Sequence, residues 1–263
     1  MTRVHVVADV HGNSAALARA GEGADALLVL GDLLNFVDYD DHSKGILAQV
    51  FGPEAVARFA WLRINGEPGE LGAYAQSLWA GLPDPKATLE DAAREQYRRL
   101  FDALPVPTFL TPGNVDLPHL WPEFLRPGVR VLDGDVVELD GLRFGFVGGL
   151  PWARPRDSAR GGPWRPYVRH QDEYDAACAA LGSVDVLCSH VPPRVPELAY
   201  DVVSRRTEVG SDALLGVIER ERPRAALFGH VHQPMAARAR VGRTECVNVG
   251  HFRRTERPYV LTW

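Results

Sequence analysis

Short apolar runs, each ending in a polar or charged residue, punctuate this chain. Val4–Ala8 and Ala26–Leu30 are brief, rich in β-branched residues and leucine, and bounded by turn formers, so they read as buried strands. Pro107–Leu110, Val129–Leu132, Asp135–Leu139, Leu142–Val147, Val184–Cys188, Ala225–Phe228, Cys246–Val249 and Tyr259–Trp263 follow the same rule. Asp133-Gly134 and Asp140-Gly141 mark tight turns and a hairpin-rich sheet. Helical spacing predicts helices over Ser14–Ala20, with Asn13 or Ser14 as N-cap, Gln171–Leu181 and Ser211–Glu221. Between about Asp38 and Leu104 the period changes. Alanine, leucine, glutamate and arginine recur at helical spacing, notably in Glu54–Asn65 and Leu89–Leu104, broken at Asn65–Gly72 and Gly81–Pro85. This is a helical excursion from an α/β chain, and residues 1–263 are expected to form one domain with mixed sheets and helices outside.

Composition narrows the class. With 46% hydrophobic and 24% charged residues, the chain can build an ordinary core. The net charge of -5 argues against generic nucleic-acid binding, but not against a small anionic substrate, because bound cations would reverse the local field. Three cysteines without a CxxC suggest neither a disulfide framework nor a zinc-thiolate site. No apolar run reaches the ~18 residues needed to span a bilayer. No signal peptide precedes the first strand, so a cytoplasmic location is expected.

The strand ends carry the chemistry. They read Asp9-Val10-His11, Gly31-Asp32, Gly113-Asn114-Val115-Asp116, Ser189-His190 and Gly229-His230-Val231-His232. In open α/β sheets functional residues gather where strands give way to loops. Taken singly each residue has a plain structural reading: Asp9 as a turn residue, Asp32 as a helix N-cap, His190 as a hydrogen-bonded histidine. Together they offer three hard oxygen ligands and four imidazoles, enough for two divalent metals, with Asp32 as the natural bridging carboxylate. Oxygen and nitrogen donors without thiolate suit Mn, Fe, Zn or Co. Two such ions about 3.5–4 Å apart generate hydroxide near neutral pH and offset charge on a phosphoryl group. The reaction class that follows is phosphoester hydrolysis by in-line attack.

The order of these motifs, from Val4 to about Gly250, resembles the calcineurin-like metallophosphoesterase superfamily. The segments His190-Val191-Pro192-Pro193-Arg194, Val209-Gly210-Ser211 and Asn248-Val249-Gly250 resemble its Icc-related branch. The resemblance implies a two-sheet αβ sandwich with mixed sheets flanked by helices. It implies one metal on Asp9, His11 and His232, a second on Asn114, His190 and His230, and Asp32 between them. Mn²⁺ is the expected ion, with Fe, Zn, Co and Ni as alternatives. Asp32, Asn114 and His190 are then the expected catalytic residues of a phosphodiesterase acting on a small phosphorylated, nucleotide-like substrate. The alternatives are a phosphomonoesterase or phosphoprotein phosphatase, a nuclease, and a non-catalytic binding protein on the same fold.

One position departs from the superfamily pattern. Where its motif has histidine after Gly-Asn, this chain has Val115. Valine cannot protonate a leaving group, which points to diesters or esters with good leaving groups. Asp116 is left between a turn cap and an orienting acid. His119 and His251 are candidates for the vacant role; His251, after Asn248-Val249-Gly250, is the better placed to touch substrate. His5, His42 and His170 are read as structural or exposed, and Cys188 as a buried apolar residue. The stretch Pro151–His170 carries Arg154, Arg156, Arg160, Arg165 and Arg169 with Trp152 and Trp164. It is either a solvated loop with its tryptophans tucked in, or the border of the pocket, where Arg154 and Arg156 would grip phosphate oxygens.

Overall fold

The computed structural model describes residues 1–152 and 162–263. Its strands in chain order are β1 (Arg3–Val7), β2 (Ala26–Leu30), β3 (Thr108–Thr111), β4 (Val129–Val131), β5 (Asp135–Leu139), β6 (Leu142–Val147), β7 (Leu150–Trp152), β8 (Val168–His170), β9 (Val186–Ser189), β10 (Tyr200–Asp201), β11 (Arg206–Thr207), β12 (Ala225–Phe228), β13 (Arg238–Val241), β14 (Thr244–Asn248) and β15 (Tyr259–Thr262). Two large sheets dominate the described residues. One has the order β15-β1-β2-β3-β4, the other β13-β14-β12-β9-β6-β5. The inner strands run parallel, while β15, β13 and β5 close the edges antiparallel.

The inner strands are parallel because their sequences tolerate burial on both faces. All five residues of β2 are buried. Val4, Val6, Leu28, Leu30 and Phe109 of the first sheet meet Phe144, Phe146, Val186, Cys188, Leu227 and Val247 of the second in one apolar layer. Helices cover the outer faces. The first sheet carries α1 (Ser14–Leu17), α2 (Gly45–Phe51), α3 (Pro53–Asn65), α4 (Glu70–Ala80) and α5 (Pro85–Ala103); the second carries α6 (Gln171–Ala180), α7 (Pro196–Ala199) and α8 (Asp212–Glu221). A last turn of helix, α9 (Phe252–Thr255), follows β14. The result is the two-sheet αβ sandwich expected.

The helical excursion holds four helices where periodicity pointed to two. Helix α5 is the legible one: Asp84 caps it, accepting from the Ala87 N–H at 2.9 Å, Pro85 opens it, and Leu89, Ala93, Tyr97 and Leu100 bury one face. Helix α4 begins at Glu70, inside the Gly/Pro stretch expected to be a break. Strand β13 carries no apolar run in Arg238–Val241 to signal it; it is an edge strand with its residues half-buried or exposed. Within Pro151–His170, expected to be loop, the described part pairs β7 with β8 in parallel, Trp152 opposite His170. The Asp140-Gly141 turn joins β5 to β6 with both residues at positive φ, 45° and 79°, as a tight hairpin requires.

Candidate metal centre

Parallel strands align their carboxyl ends, so the polar residues that terminate them meet at one edge of the sandwich. Asp9 follows β1, Asp32 follows β2 and Asn114 follows β3; from the other sheet come His190 at the end of β9, then His230 and His232 beyond β12. The loops are tied across the sheets. The His230 N–H donates to Asp9 Oδ2 at 3.0 Å and the Val115 N–H to Asp32 Oδ1 at 2.7 Å. Asp9, His11, Asp32 and His230 all hold positive φ, between 41° and 69°. Such conformations cost about 1–3 kcal/mol each and cluster at functional sites. Two glycines make the approach of the loops sterically feasible: a Cβ on Gly113 would overlap the Asp32 carboxylate, and one on Gly229 would overlap Ala8 and Asp9.

All seven expected ligands converge. Asp9, Asp32 and His190 are buried at the floor; His11, Asn114, His230 and His232 are half-buried around them. His190 Nδ1 faces the Leu30 carbonyl at 2.8 Å and His11 Nδ1 faces the Leu34 carbonyl at 3.0 Å. A carbonyl only accepts, so each ring carries its proton on Nδ1 and turns an Nε2 lone pair inward. His190 Nε2 then stands 3.0 Å from Asn114 Oδ1 and 3.6 Å from Asp32 Oδ2. His11 Nε2 stands 3.2 Å from His232 Nε2 and 3.9 Å from Asp32 Oδ2, with Asp9 Oδ1 3.7 Å from His232 Nε2. His230 Nε2 is buried and has no hydrogen-bond partner among the described residues. This donor set fits divalent cations: acceptors gather with too few protons among them, and a cation satisfies every lone pair.

The electrostatics agree. Burial, reinforced by the charge of His232, pulls His11 down to about 3. Burial, with His190 beside it, pulls His230 down to about 3, so both rings stay neutral and able to ligate. Burial opposes a charge on His232, but its hydrogen bond to Asp9 prevails and raises its pKa. Burial likewise works against ionised Asp9, yet His232 holds that carboxyl well below the usual range. Asp32 is pushed up, first by burial and then by the neighbouring Asp9 charge.

His251 also belongs here. Its backbone pairs with Ala8, its ring stacks on His232 with centroids 3.9 Å apart, and its Nε2 is buried without a partner among the described residues. Burial, and the charge of His232, lower its pKa to about 4. Ligand atoms lie within 4.8 Å of one another in two groups, Asp9 with Asp32 and His190, and His11 with His232 and His251. His119 is elsewhere: exposed, with Nε2 3.3 Å from Glu90. His5 is a core histidine bonded to the Ala20 carbonyl at 2.7 Å, and His170 is exposed. Cys188 is fully buried, as expected of an apolar residue. Arg154, Arg156 and Arg160 lie outside the described residues. Arg169 pairs with Asp133 at 2.7 Å, and Arg165 Nη1 donates to the Trp164 carbonyl at 2.8 Å.

Asp116 proves to be a scaffold. Fully buried, it accepts from the Asp32 and Gly113 N–H groups at 2.9 Å, from Leu33 at 3.0 Å, and from Leu34 and the Tyr97 hydroxyl at 3.3 Å. It therefore fixes the Asp32 and Asn114 loops against each other. Burial and the Asp32 charge push it up to about 7, against the pull of those N–H donors. Two further residues support these loops. Gln96 of α5 exchanges hydrogen bonds with the Asn35 backbone, and Asn248 Nδ2 donates to the Val231 carbonyl at 2.9 Å, holding the loop between His230 and His232. Gln96 carries no sequence signal of this role, whereas Asn248 opens the Asn248-Val249-Gly250 segment that precedes His251.

Residues 2–234 match the family model for calcineurin-like phosphoesterases. Among solved structures, one crystal structure superposes with a TM-score of 0.58 at 17% identity, covering 95% of this chain and 91% of that one. The crystal structure of TT1561 of Thermus thermophilus superposes with a TM-score of 0.51 at 14% identity, covering 99% of this chain and 98% of that chain. At such identities the likeness is one of fold. No curated protein matches the sequence significantly.

Proposed function

The chain belongs to the calcineurin-like phosphoesterase family and is a metal-dependent phosphoester hydrolase; from that premise we propose a dinuclear phosphodiesterase. The observation that carries this reading is the ring of inward-facing lone pairs around Asp32, with His230 Nε2 buried and unpartnered among the described residues. Asp9, His11 and His232 would hold one ion, Asn114, His190 and His230 the other, and Asp32 both. Mn²⁺ suits such oxygen and imidazole donors, as do Fe, Zn, Co and Ni. Bound there, the ions would supply hydroxide at neutral pH and neutralise phosphoryl charge.

The remaining work falls to the chain's own groups. Asp116 fixes the Asp32 backbone, and the Val115 N–H orients the Asp32 carboxylate by donating to its Oδ1. Asn114, half-buried at the rim, offers its amide to one phosphoryl oxygen. His251, stacked on His232 with its Nε2 unengaged by described residues, is the second group of the chain beside the centre that would meet substrate. Val115 brings no proton to the leaving group, which favours diesters and esters whose alcohols depart as stable anions. A small phosphorylated substrate fits the rim residues described. A cytoplasmic setting accords with three buried, unpaired cysteines, and no described helix is long and apolar enough to cross a membrane. A phosphomonoesterase is the second reading, favoured by the presence of His251 beside the centre.

The test is hydrolysis of bis-p-nitrophenyl phosphate and p-nitrophenyl phosphate by metal-stripped protein with Mn²⁺ restored, beside Asp32→Asn. Diester cleavage that needs Mn²⁺ and vanishes in the variant is the expected result. Faster monoester cleavage would replace the proposal with the second reading. Absence of metal binding would overturn both.

A further inference from the structure

Val115 is part of an apolar wall built by three segments of the site. The indole Nε1–H of Trp164 donates to the Val115 carbonyl at 3.4 Å, and the ring stacks on Phe36 with centroids 4.8 Å apart and planes 19° from parallel. Phe36 lies four residues beyond Asp32, and Val115 directly follows Asn114. The segment bearing Trp164 is fastened to the same loop: the Tyr167 N–H donates to the Asn114 carbonyl at 2.9 Å, and the Tyr167 hydroxyl to Asp133 Oδ2 at 2.9 Å. Phe36, Val115 and Trp164 pack against the core on one side yet are only half-buried. Trp152 stands apart, 41% exposed on β7 opposite His170.

We infer that Val115, Phe36 and Trp164 seat the leaving group and select an aromatic one. The inference rests on the phosphodiesterase reading and names its substrate class. Hydroxide derived from water forms the new P–O bond, the bond to the ester oxygen breaks, and that oxygen leaves with the electron pair as an aryloxide. An aryloxide departs without a proton donor, which is what Val115 fails to provide. Its ring gains apolar contact and offset stacking on the wall. An alkoxide would need the missing proton and would lack a stacking partner. The apolar wall and the absent acid therefore point to the same substrate.

Two methyl phosphate diesters test this with Mn²⁺-loaded protein: one with a phenyl leaving group, one with a fluorinated alkyl leaving group of matched acidity. Matching acidity removes the chemical advantage and leaves shape. Wild type is expected to prefer the phenyl ester in kcat/KM by roughly tenfold to a hundredfold, the range of one aromatic stacking contact. Trp164→Ala should bring the ratio of the two esters close to one, while Trp164→Phe and Phe36→Leu keep part of it. A ratio unchanged in Trp164→Ala, with both esters falling together, would mean the wall is structural and would overturn the inference. Equal rates on the two esters in wild type would overturn it as well. If wild type cleaves neither ester in Mn²⁺, the phosphodiesterase reading itself fails, and this one with it.

Discussion

Replacing Asp116 by asparagine isolates what a buried carboxylate does for the loops around it. In the wild type Oδ2 accepts from the backbone N–H groups of Asp32 and Gly113, while Oδ1 accepts from Leu33, Leu34 and the Tyr97 hydroxyl. Asparagine keeps one acceptor oxygen and turns the other position into a donor. The amide will orient to preserve the larger set, leaving the Asp32 and Gly113 N–H groups facing another donor in a site closed to water. A buried donor left unsatisfied costs about 1–3 kcal/mol. Two of them give a loss of about 2–6 kcal/mol, a large share of the ~5–15 kcal/mol that stabilises a typical domain. Urea unfolding of metal-free protein at pH 8 measures this, since the carboxyl, pushed up to about 7, is ionised there. Metal affinity should fall in parallel, because the released N–H groups flank Asp32, the carboxylate proposed to bridge the ions. A stability change under about 0.5 kcal/mol would refute the scaffold argument. So would unaltered stability and metal binding with activity abolished, which would return Asp116 to the chemistry.

Two further outcomes follow from the same geometry. Asp38 is buried and accepts from Asn35, from the backbone of Asp40 and Asp41, and from Arg253, clamping the start of the helical excursion to the turn that bears His251. Burial opposes its ionisation, but those donors prevail and lower its pKa below 3.8; the stability it contributes is therefore present above that value and lost as pH falls through the folded pKa. Asp38→Asn should lower the Tm at pH 7, and the gap to wild type should narrow in thermal melts as the pH is taken progressively below 3.8; a gap independent of pH would refute the assignment. Val115→His restores a proton donor beside Asn114, so alkyl monoester turnover should rise by about 10²-fold relative to aryl diester turnover. An unchanged ratio of kcat/KM on the two substrates would show that leaving-group protonation is not what this site lacks.

The sequence by itself determined the buried strands and the residues brought to their ends; that the inner strands pair in parallel is a finding of the tertiary structure. Short apolar runs such as Ala26–Leu30 can only be buried on both faces, and a run that ends in Asp32, Asn114 or His190 delivers that side chain to a strand terminus. Local covalent order carries that information, and so does the Asp140-Gly141 hairpin. Tertiary structure decided everything that depends on which loops meet. Asp116 lies far from Asp32 and Leu33 along the chain, and no periodicity signals that its carboxylate accepts their N–H groups. His251 reaches the centre only because the turn after β14 pairs with Ala8, in the other sheet. Phe36, Val115 and Trp164 are ordinary apolar residues until three separate segments place them on one wall. A residue type announces what chemistry it can do; only packing announces its partners, because burial and hydrogen-bond direction are set by chain segments distant in sequence.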